Sequence, residues 1–560
     1  MIEGQRCGAM ARKSKRRPIW IADAETDPFR KGRVPAPFIW GLLDTENNEY
    51  FEFLETEAFV NFVREKKIVV YAHNGGRFDW HFITKYIGEY EPLTIIAGRL
   101  AKFKIDECEF RDSYNLIPAP LSAYKKDEID YAIMEESERH KPENWEAIRK
   151  YLKADCVYLG EIVTGFIENY GLHLTQAGAA MNFWSKLAGI EKPNTTEFYY
   201  EKLKPYYYGG RVECFETGII ECDFNVVDIT SAYPYAMTFK HPWGTSYTTY
   251  KELPNCSNEE IGRMFIDIRA KSLGAFPFRG LNGLEFPHDG QMRNFTITGW
   301  EYLAAKETGT LVDAVISRVI EFDDCIDFTE YVAHFFALKN EAKANADDAQ
   351  YLFAKIFLNA LYGKFASNPE NYQEFMTVNG SILKDVLEDG WLYCKMIDTE
   401  TAVVARQLQE EMRRYYDVSV SASITGFVRA HLWKNIKLTD RALYCDTDSI
   451  AAVGITEIPI TDKLGDWENE GDFIKAAIGG KKLYAFERRN KTKADAALIK
   501  KKGKYKIASK GARLDASEII QVANGAIITY EPEAPTFSVK RGIIFTPRKI
   551  RKTKKGLQSI

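Results

Sequence analysis

The chain has 560 residues, 45% hydrophobic and 28% charged, which is too long for one core and ordinary for several globular domains. Its net charge of −4 hides an asymmetry: positions 481–560 hold 21 Lys and Arg against 6 Asp and Glu, a balance of +15 that leaves −19 for the preceding 480 residues. An acidic body carrying a basic module suits a polyanionic partner, whereas the absence of any 18-residue apolar run, apolar secretory h-region or CxxC pair excludes a helical membrane span, a secretory signal and a zinc or disulfide framework.

In chain order, the basic first 18 residues read as a flexible arm, with Met10 as an alternative start. Four apolar runs end in polar or acidic groups and read as buried strands: IWIAD at 19–23, KIVVYAHN at 67–74, FNVVDI at 224–229 and ALYCD at 442–446. Helical spacing is clearest at 143–169 and 326–363, the latter interrupted by KNEAKANADDAQ as at the tip of a helical hairpin. PYYYGGR at 205–211 reads as a linker, dividing the chain near residue 200. The run at 548–555 reads as a solvated basic tail. Thirty-one Tyr and 34 Phe suit base stacking, but composition alone favours the plainer reading of an aromatic-rich core.

The N-terminal half supplies four carboxylates in three pieces. Asp23 and Glu25, at i and i+2 on a strand, point to one face and can share a divalent cation. His73-Asn74-Gly75-Gly76-Arg77-Phe78-Asp79 is a strand end and glycine-rich turn closing on a third carboxylate. Tyr151 and Asp155 sit four apart on one helix face, with Tyr151 able to orient a water. Two magnesium ions about 4 Å apart on such a set would suit phosphodiester hydrolysis.

The C-terminal half repeats the theme. Asp228 follows an apolar strand in DITSAYP, and Asp446 and Asp448 flank a turn in YCDTDS. A D-x-D hairpin facing a third aspartate is the minimum for two metals on an incoming triphosphate; D-T-D alone reads equally as a turn or a calcium loop, but the glycine and glutamate register of an EF-hand is missing. Between them, Lys355, Asn359 and Tyr362 fall on one helix face, and Lys339 and Lys343, four apart, can add phosphate contacts from a facing helix.

DITSAYP, KIFLNALYG and YCDTDS are similar to motifs A, B and C of family B DNA polymerases, and DAET, HNGGRFD and YLKAD resemble their three exonuclease motifs. KLY at 482–484 is similar to the K-x-Y motif at the primer end, and YKIASKGARL resembles the start of the thumb. The chain looks like the protein-primed branch of phages and linear plasmids. It is short, it carries Tyr207-Tyr208-Gly209-Gly210 like that branch's Y-x-G-G linker and RDSYNLIP like its exonuclease DNA-binding segment, and its intervals between motifs admit two terminal-protein insertions. ETDPF, AHNGGRFD, YGKFASNPENY and SITG look closest to the tectivirus type. Ala232 and Ala360 stand where the family usually has Leu and Ser, and the exonuclease lysine has no match in EIDYAIMEE.

The resemblance implies an α/β multidomain chain: an RNase H-like 3′–5′ exonuclease domain followed by a right-hand polymerase of palm, fingers and thumb with two terminal-protein-region insertions. The expected boundaries are an arm at 1–18, exonuclease at 19–200, linker and first palm segment at 201–240, first insertion at 241–325, fingers at 326–366, second insertion at 367–415, palm at 416–490 and thumb with basic tail at 491–560. The first insertion is expected to pack on the palm and the second to form a β-rich arm around the template. Asp228, Asp446 and Asp448 would hold the polymerase metals, and Asp23, Glu25 and Asp155, with Asp79 and Tyr151, would carry proofreading. Tyr233 would exclude a ribose 2′-hydroxyl, and Lys339, Lys343, Lys355, Asn359 and Tyr362 would bind dNTP. Asn74, Ser113, Tyr207, Gly209, Gly210, Tyr444, Lys482 and Tyr484 would contact DNA. Magnesium, replaceable by manganese, is the implied cofactor. DNA template and primer, dNTPs and a priming terminal protein are the implied partners of a monomer or of a heterodimer with terminal protein, with no membrane, in the bacterial host's cytoplasm. The alternative is a conventional or primer-independent family B polymerase without a terminal protein.

Overall fold

The computed structural model describes residues 17–553, apart from positions 282, 456, 462, 510 and 541. The arm expected at 1–18 therefore lies almost wholly outside the described residues, as do Met10 and the last two basic residues of the tail, Lys554 and Lys555.

Two compact units divide the chain. The first comprises the chain up to Leu174 with Glu374–Arg406 and Thr536–Ile544; the second comprises Thr175–Gln373, Gln407–Pro535 and the segment from Phe545 onward.

In the first unit, strand Ile19–Thr26 pairs antiparallel with Pro37–Asp44 and parallel with Val69–Ala72, which runs parallel to Cys108–Asp112. Val69–Ala72 is buried throughout, which is why its sequence is a continuous apolar run and not an alternating one. Arg99–Ile105 and Pro92–Ile96 continue the sheet antiparallel. Beyond them lie Gln373–Asn379, Thr401–Gln407 and Leu392–Met396, so strands from within the expected second insertion extend this sheet to ten. Helix Pro142–Tyr170 starts on a proline, whose missing N–H costs nothing there, and stops at Gly171, whose φ of 85° favours glycine. Its buried face, including Tyr151, Leu152 and Asp155, packs on Ile19–Thr26 and Pro37–Asp44.

The second unit is built on a seven-stranded antiparallel sheet, in order Val212–Cys214, Arg441–Asp446, Ser449–Val453, Gly218–Ile229, Trp467–Gly480, Leu483–Arg488 and Tyr505–Ser509. His241–Tyr250, Val312–Ile326, Phe265–Lys271 and Arg293–Thr298 form a separate four-stranded sheet within the expected first insertion. Helices Thr329–Ala344 and Asp348–Phe365 make a hairpin, the second capped by Asp347, which accepts from Gln350 N. Helix Val418–Ile436 is buried along most of its length, with Asp417 capping it and accepting also from Tyr199 and Gly244 N.

Helix Gln176–Ala188 belongs to the second unit, so the division falls near residue 174 and not near 200. Its aromatics decide this: Phe183 packs 4.9 Å from Phe335, and Trp184 lies 5.5 Å from Phe328 and 5.4 Å from Phe365. At the other end, Arg548–Ile550 pairs with Ile528–Tyr530, so part of the run read as a solvated tail is a strand.

Candidate active sites

Asp23 and Glu25 stand two apart on Ile19–Thr26, beside Asp155, one helical turn after Tyr151. Burial pushes the Asp23 carboxyl up to about 7, with repulsion from Asp155 adding to it. Burial, then Asp23 and Asp155, push Glu25 up to about 8. Asp79 is raised by burial and then by Asp23, so all four carboxylates of the sequence expectation are electrostatic neighbours. One cation offsets them, and sequence reasoning missed it: Lys126 Nζ lies 2.9 Å from Asp155 Oδ2. The Tyr151 hydroxyl lies 3.2 Å from that of Tyr131 and near enough to Asp155 to favour its charged form.

Asp155 Oδ1 is buried and without a hydrogen-bond partner among the described residues. An orphaned carboxylate oxygen beside two further carboxylates is costly unless a cation accompanies it. The donors are hard oxygens, which suits magnesium or manganese. Among the described residues no three such groups already meet closely enough to enclose an ion. A divalent cation between them would offset their mutual repulsion.

A cavity of about 570 Å3 opens on this site, lined by Asp23, Asn74, Arg99, Tyr114, Lys126 and Asp155 among others. Asn74 is left-handed at φ 63° and its Oδ1 accepts from Arg99. Ser113, expected at the bound strand, is instead fully buried. Its hydroxyl donates to Ala72 O at 3.1 Å and lies 3.1 Å from His73 Nδ1, so it orients His73 and does not line the cavity.

In the second unit, Asp228 pairs with Ser449, which pairs with Asp446 across the hairpin turn. Thr447, at the turn, is β-branched yet left-handed at φ 62°, a conformation that persists only where surroundings enforce it. Thr447 N donates to Arg211 O at 2.6 Å, and Ile229 N to Asp448 O at 2.8 Å. The turn thereby holds Asp446 and Asp448 against Asp228. Burial and then Asp448 push Asp228 up to about 7, and burial and then Asp446 push Asp448 up to about 6.

Lys482 Nζ sits 2.8 Å from Asp446 Oδ1, and Lys506, which the sequence reading did not single out, acts on all three aspartates while contacting Glu470. Tyr444, expected to touch DNA, is only 2% exposed. Its hydroxyl accepts from Lys482 N at 2.9 Å and donates to Asp446 Oδ2 at 3.4 Å, so it braces that carboxylate. Tyr484 packs 5.0 Å from it.

Tyr233 and Tyr362 stack face to face, centroids 4.2 Å apart at 7°. Lys339 is depressed by burial and then by Lys355 and Lys343, so the three ammonium groups form a cluster that favours a polyanion. Lys355 and Asn359 are exposed on the helix face read from sequence.

The stretch read as a linker is part of this site. Tyr207 neighbours both Tyr233 and Tyr362. A Cβ at Gly210 would stand 2.8 Å from Thr447 Cγ2 and 3.1 Å from the Tyr233 hydroxyl, so glycine alone lets this loop close on the Asp446–Asp448 turn. Arg429, a third residue missed from sequence, donates from Nη1 to the carbonyls of Tyr208 at 2.6 Å and Gly209 at 2.9 Å, and from Nε to Glu301 at 2.7 Å. Both side chains of that ion pair are 1% exposed, where losing one partner costs about 3–5 kcal/mol.

The family model for DNA polymerase type B, organellar and viral, matches residues 119–455. The chain belongs to this family. The DNA-directed DNA polymerase of Enterobacteria phage PRD1 is 35% identical to it over 97% of this chain and 100% of that protein. The DNA polymerase of phage Phi29, solved with primer-template DNA and incoming nucleotide substrates, shares its fold with a TM-score of 0.72 at 17% identity, over 96% of this chain and 100% of that one. The orthorhombic crystal form of the same Phi29 enzyme gives 0.71 at 18% identity. The polymerase is thus a DNA-directed DNA polymerase of the protein-primed phage type, with a mixed α/β multidomain fold like that of the Phi29 enzyme. Membership implies use of divalent metal. No helix among the described residues is long and apolar enough to cross a membrane.

Proposed function

We propose that this polymerase extends a terminal-protein hydroxyl and then the DNA strand grown from it at Asp228, Asp446 and Asp448, and removes mispaired 3′ ends at Asp23, Glu25, Asp79 and Asp155. The observation that carries the synthetic half is the three-aspartate group facing a Tyr233–Tyr362 stack with a lysine cluster on the same unit. Magnesium, for which manganese substitutes, supplies Lewis-acid stabilisation of attacking and leaving oxygens at both sites when bound.

Asp228, Asp446 and Asp448 hold the two polymerase ions, and Lys482 keeps Asp446 oriented while the primer end seats beside it. Lys339, Lys343 and Lys355 take the triphosphate, relieving their mutual repulsion. Tyr362 forms a platform for the nascent base pair, with Asn359 and Tyr207 at its edge. Tyr233, pinned by its stack on Tyr362, fills the space a ribose 2′-hydroxyl needs. In the exonuclease domain Asp23, Glu25 and Asp155 hold the ions, Tyr151 orients the attacking water, and Asn74 contacts the frayed strand. Phosphate contacts from the basic C-terminal module hold product duplex without reading sequence, and the insertions engage terminal protein and template, giving strand displacement and processivity.

Tyr233→Val tests the nucleotide pocket. With primer-template and magnesium, the variant is expected to raise ribonucleotide incorporation at least tenfold relative to dNTP, about 1.4 kcal/mol of lost discrimination. Unchanged sugar selectivity would remove Tyr233 from that role.

A further inference from the structure

We propose that Arg99 is a phosphate-binding residue of the exonuclease cavity, gripping the backbone of the unpaired strand, with Tyr114 as its platform and Asn74 as its brace. This deepens the proofreading reading and rests on it.

The placement begins with two glycines. A Cβ at Gly76 would stand 2.4 Å from Leu100 O and 2.8 Å from Asp112 Oδ2, and one at Gly75 would stand 2.8 Å from Trp80 Nε1. The HNGGRFD turn can therefore lie flush against the start of strand Arg99–Ile105 only because Gly76 lacks a side chain, while Gly75 leaves room for the Trp80 indole under the same turn. That close approach sets Arg99 beside Asn74. Its Nη1 donates to Asn74 Oδ1 and lies 3.4 Å from Asp112 Oδ2, and its guanidinium carbon is 4.0 Å from the Tyr114 ring centroid. Asp112 is also fixed by Tyr114 N at 2.9 Å, so one carboxylate anchors both the cation and its platform.

Among the described residues every hydrogen bond given to Arg99 runs through Nη1, which leaves Nε and Nη2 for an acceptor in the cavity that Arg99 lines. Lys126 is the other cation of that lining, and it is committed to Asp155. A planar fork held on edge by an amide and on face by a phenol ring is preorganised for two oxygens of one phosphodiester, with little rotamer entropy left to lose.

The test is binding of a single-stranded oligonucleotide by the full chain in EDTA, titrated at several salt concentrations, with KM and kcat for its degradation in magnesium. Arg99→Gln is expected to weaken binding about tenfold and to lower the slope of log Kd against log salt by about 0.7, the share of one phosphate contact on a single strand. KM rises far more than kcat falls. Arg99→Lys keeps the slope and loses part of the affinity, because the charge survives and the fork does not. A wild-type slope in Arg99→Gln, or a lowered melting temperature without a change in slope, overturns the proposal and makes Arg99 structural. If Arg99→Gln does not fold, a wild-type KM in Arg99→Lys overturns it. Wild-type enzyme that bound but did not degrade the oligonucleotide would instead sink the proofreading reading itself.

Discussion

Asp448→Ala is expected to cut primer extension by about a thousand-fold or more while leaving 3′–5′ degradation of single strands intact. On the proposed reading, removing one of three carboxylates at a two-metal centre would forfeit roughly 4 kcal/mol of transition-state charge stabilisation. The turn itself survives the change, because Thr447 N and Asp448 O hold it through backbone bonds to Arg211 and Ile229. Degradation is spared because Asp23, Glu25, Asp79 and Asp155 all belong to the other compact unit. Gel analysis of a labelled primer with and without dNTPs reads both activities in one experiment. Loss of both in a folded protein would contradict two independent centres.

Asp23→Ala combined with Glu25→Ala is the mirror experiment. Degradation should fall by a similar thousand-fold, extension should persist, and misincorporation should rise roughly tenfold or more, the scale on which a second hydrolytic site adds discrimination. Relieving two crowded buried carboxylates also removes repulsion on Asp155 and Asp79, so the variant is expected to melt no lower than wild type. Unchanged fidelity with degradation lost would separate the nuclease from proofreading.

What the sequence disclosed followed from local periodicity. Carboxylates at the ends of apolar strands, Tyr151 one turn before Asp155, and the stripe of Lys355, Asn359 and Tyr362 are all visible at spacings of two, four and seven, and each lies where its element puts it. What stayed hidden depends on contacts between distant segments. Lys126 and its neighbour Lys125 are indistinguishable in sequence, yet one meets Asp155 and the other meets Glu161. Arg429 reads as one cation in an apolar helix until its hydrogen bonds to Tyr208 and Gly209 are seen. The pairing of Gln373–Asn379 with Pro92–Ile96 joins strands almost three hundred residues apart, which no periodicity encodes. Tyr444 and Ser113 look like surface contacts in their motifs and prove buried, because each spends its hydroxyl on a neighbouring motif.

The most direct measurement of the whole account is extension of one primer on circular single-stranded DNA, with magnesium and four dNTPs and without clamp or helicase, sized on an alkaline gel. A protein-primed enzyme that displaces its own product is predicted to give strands many circles long. Products that stop on reaching the primer's 5′ end would keep the aspartate chemistry and contradict intrinsic strand displacement and processivity.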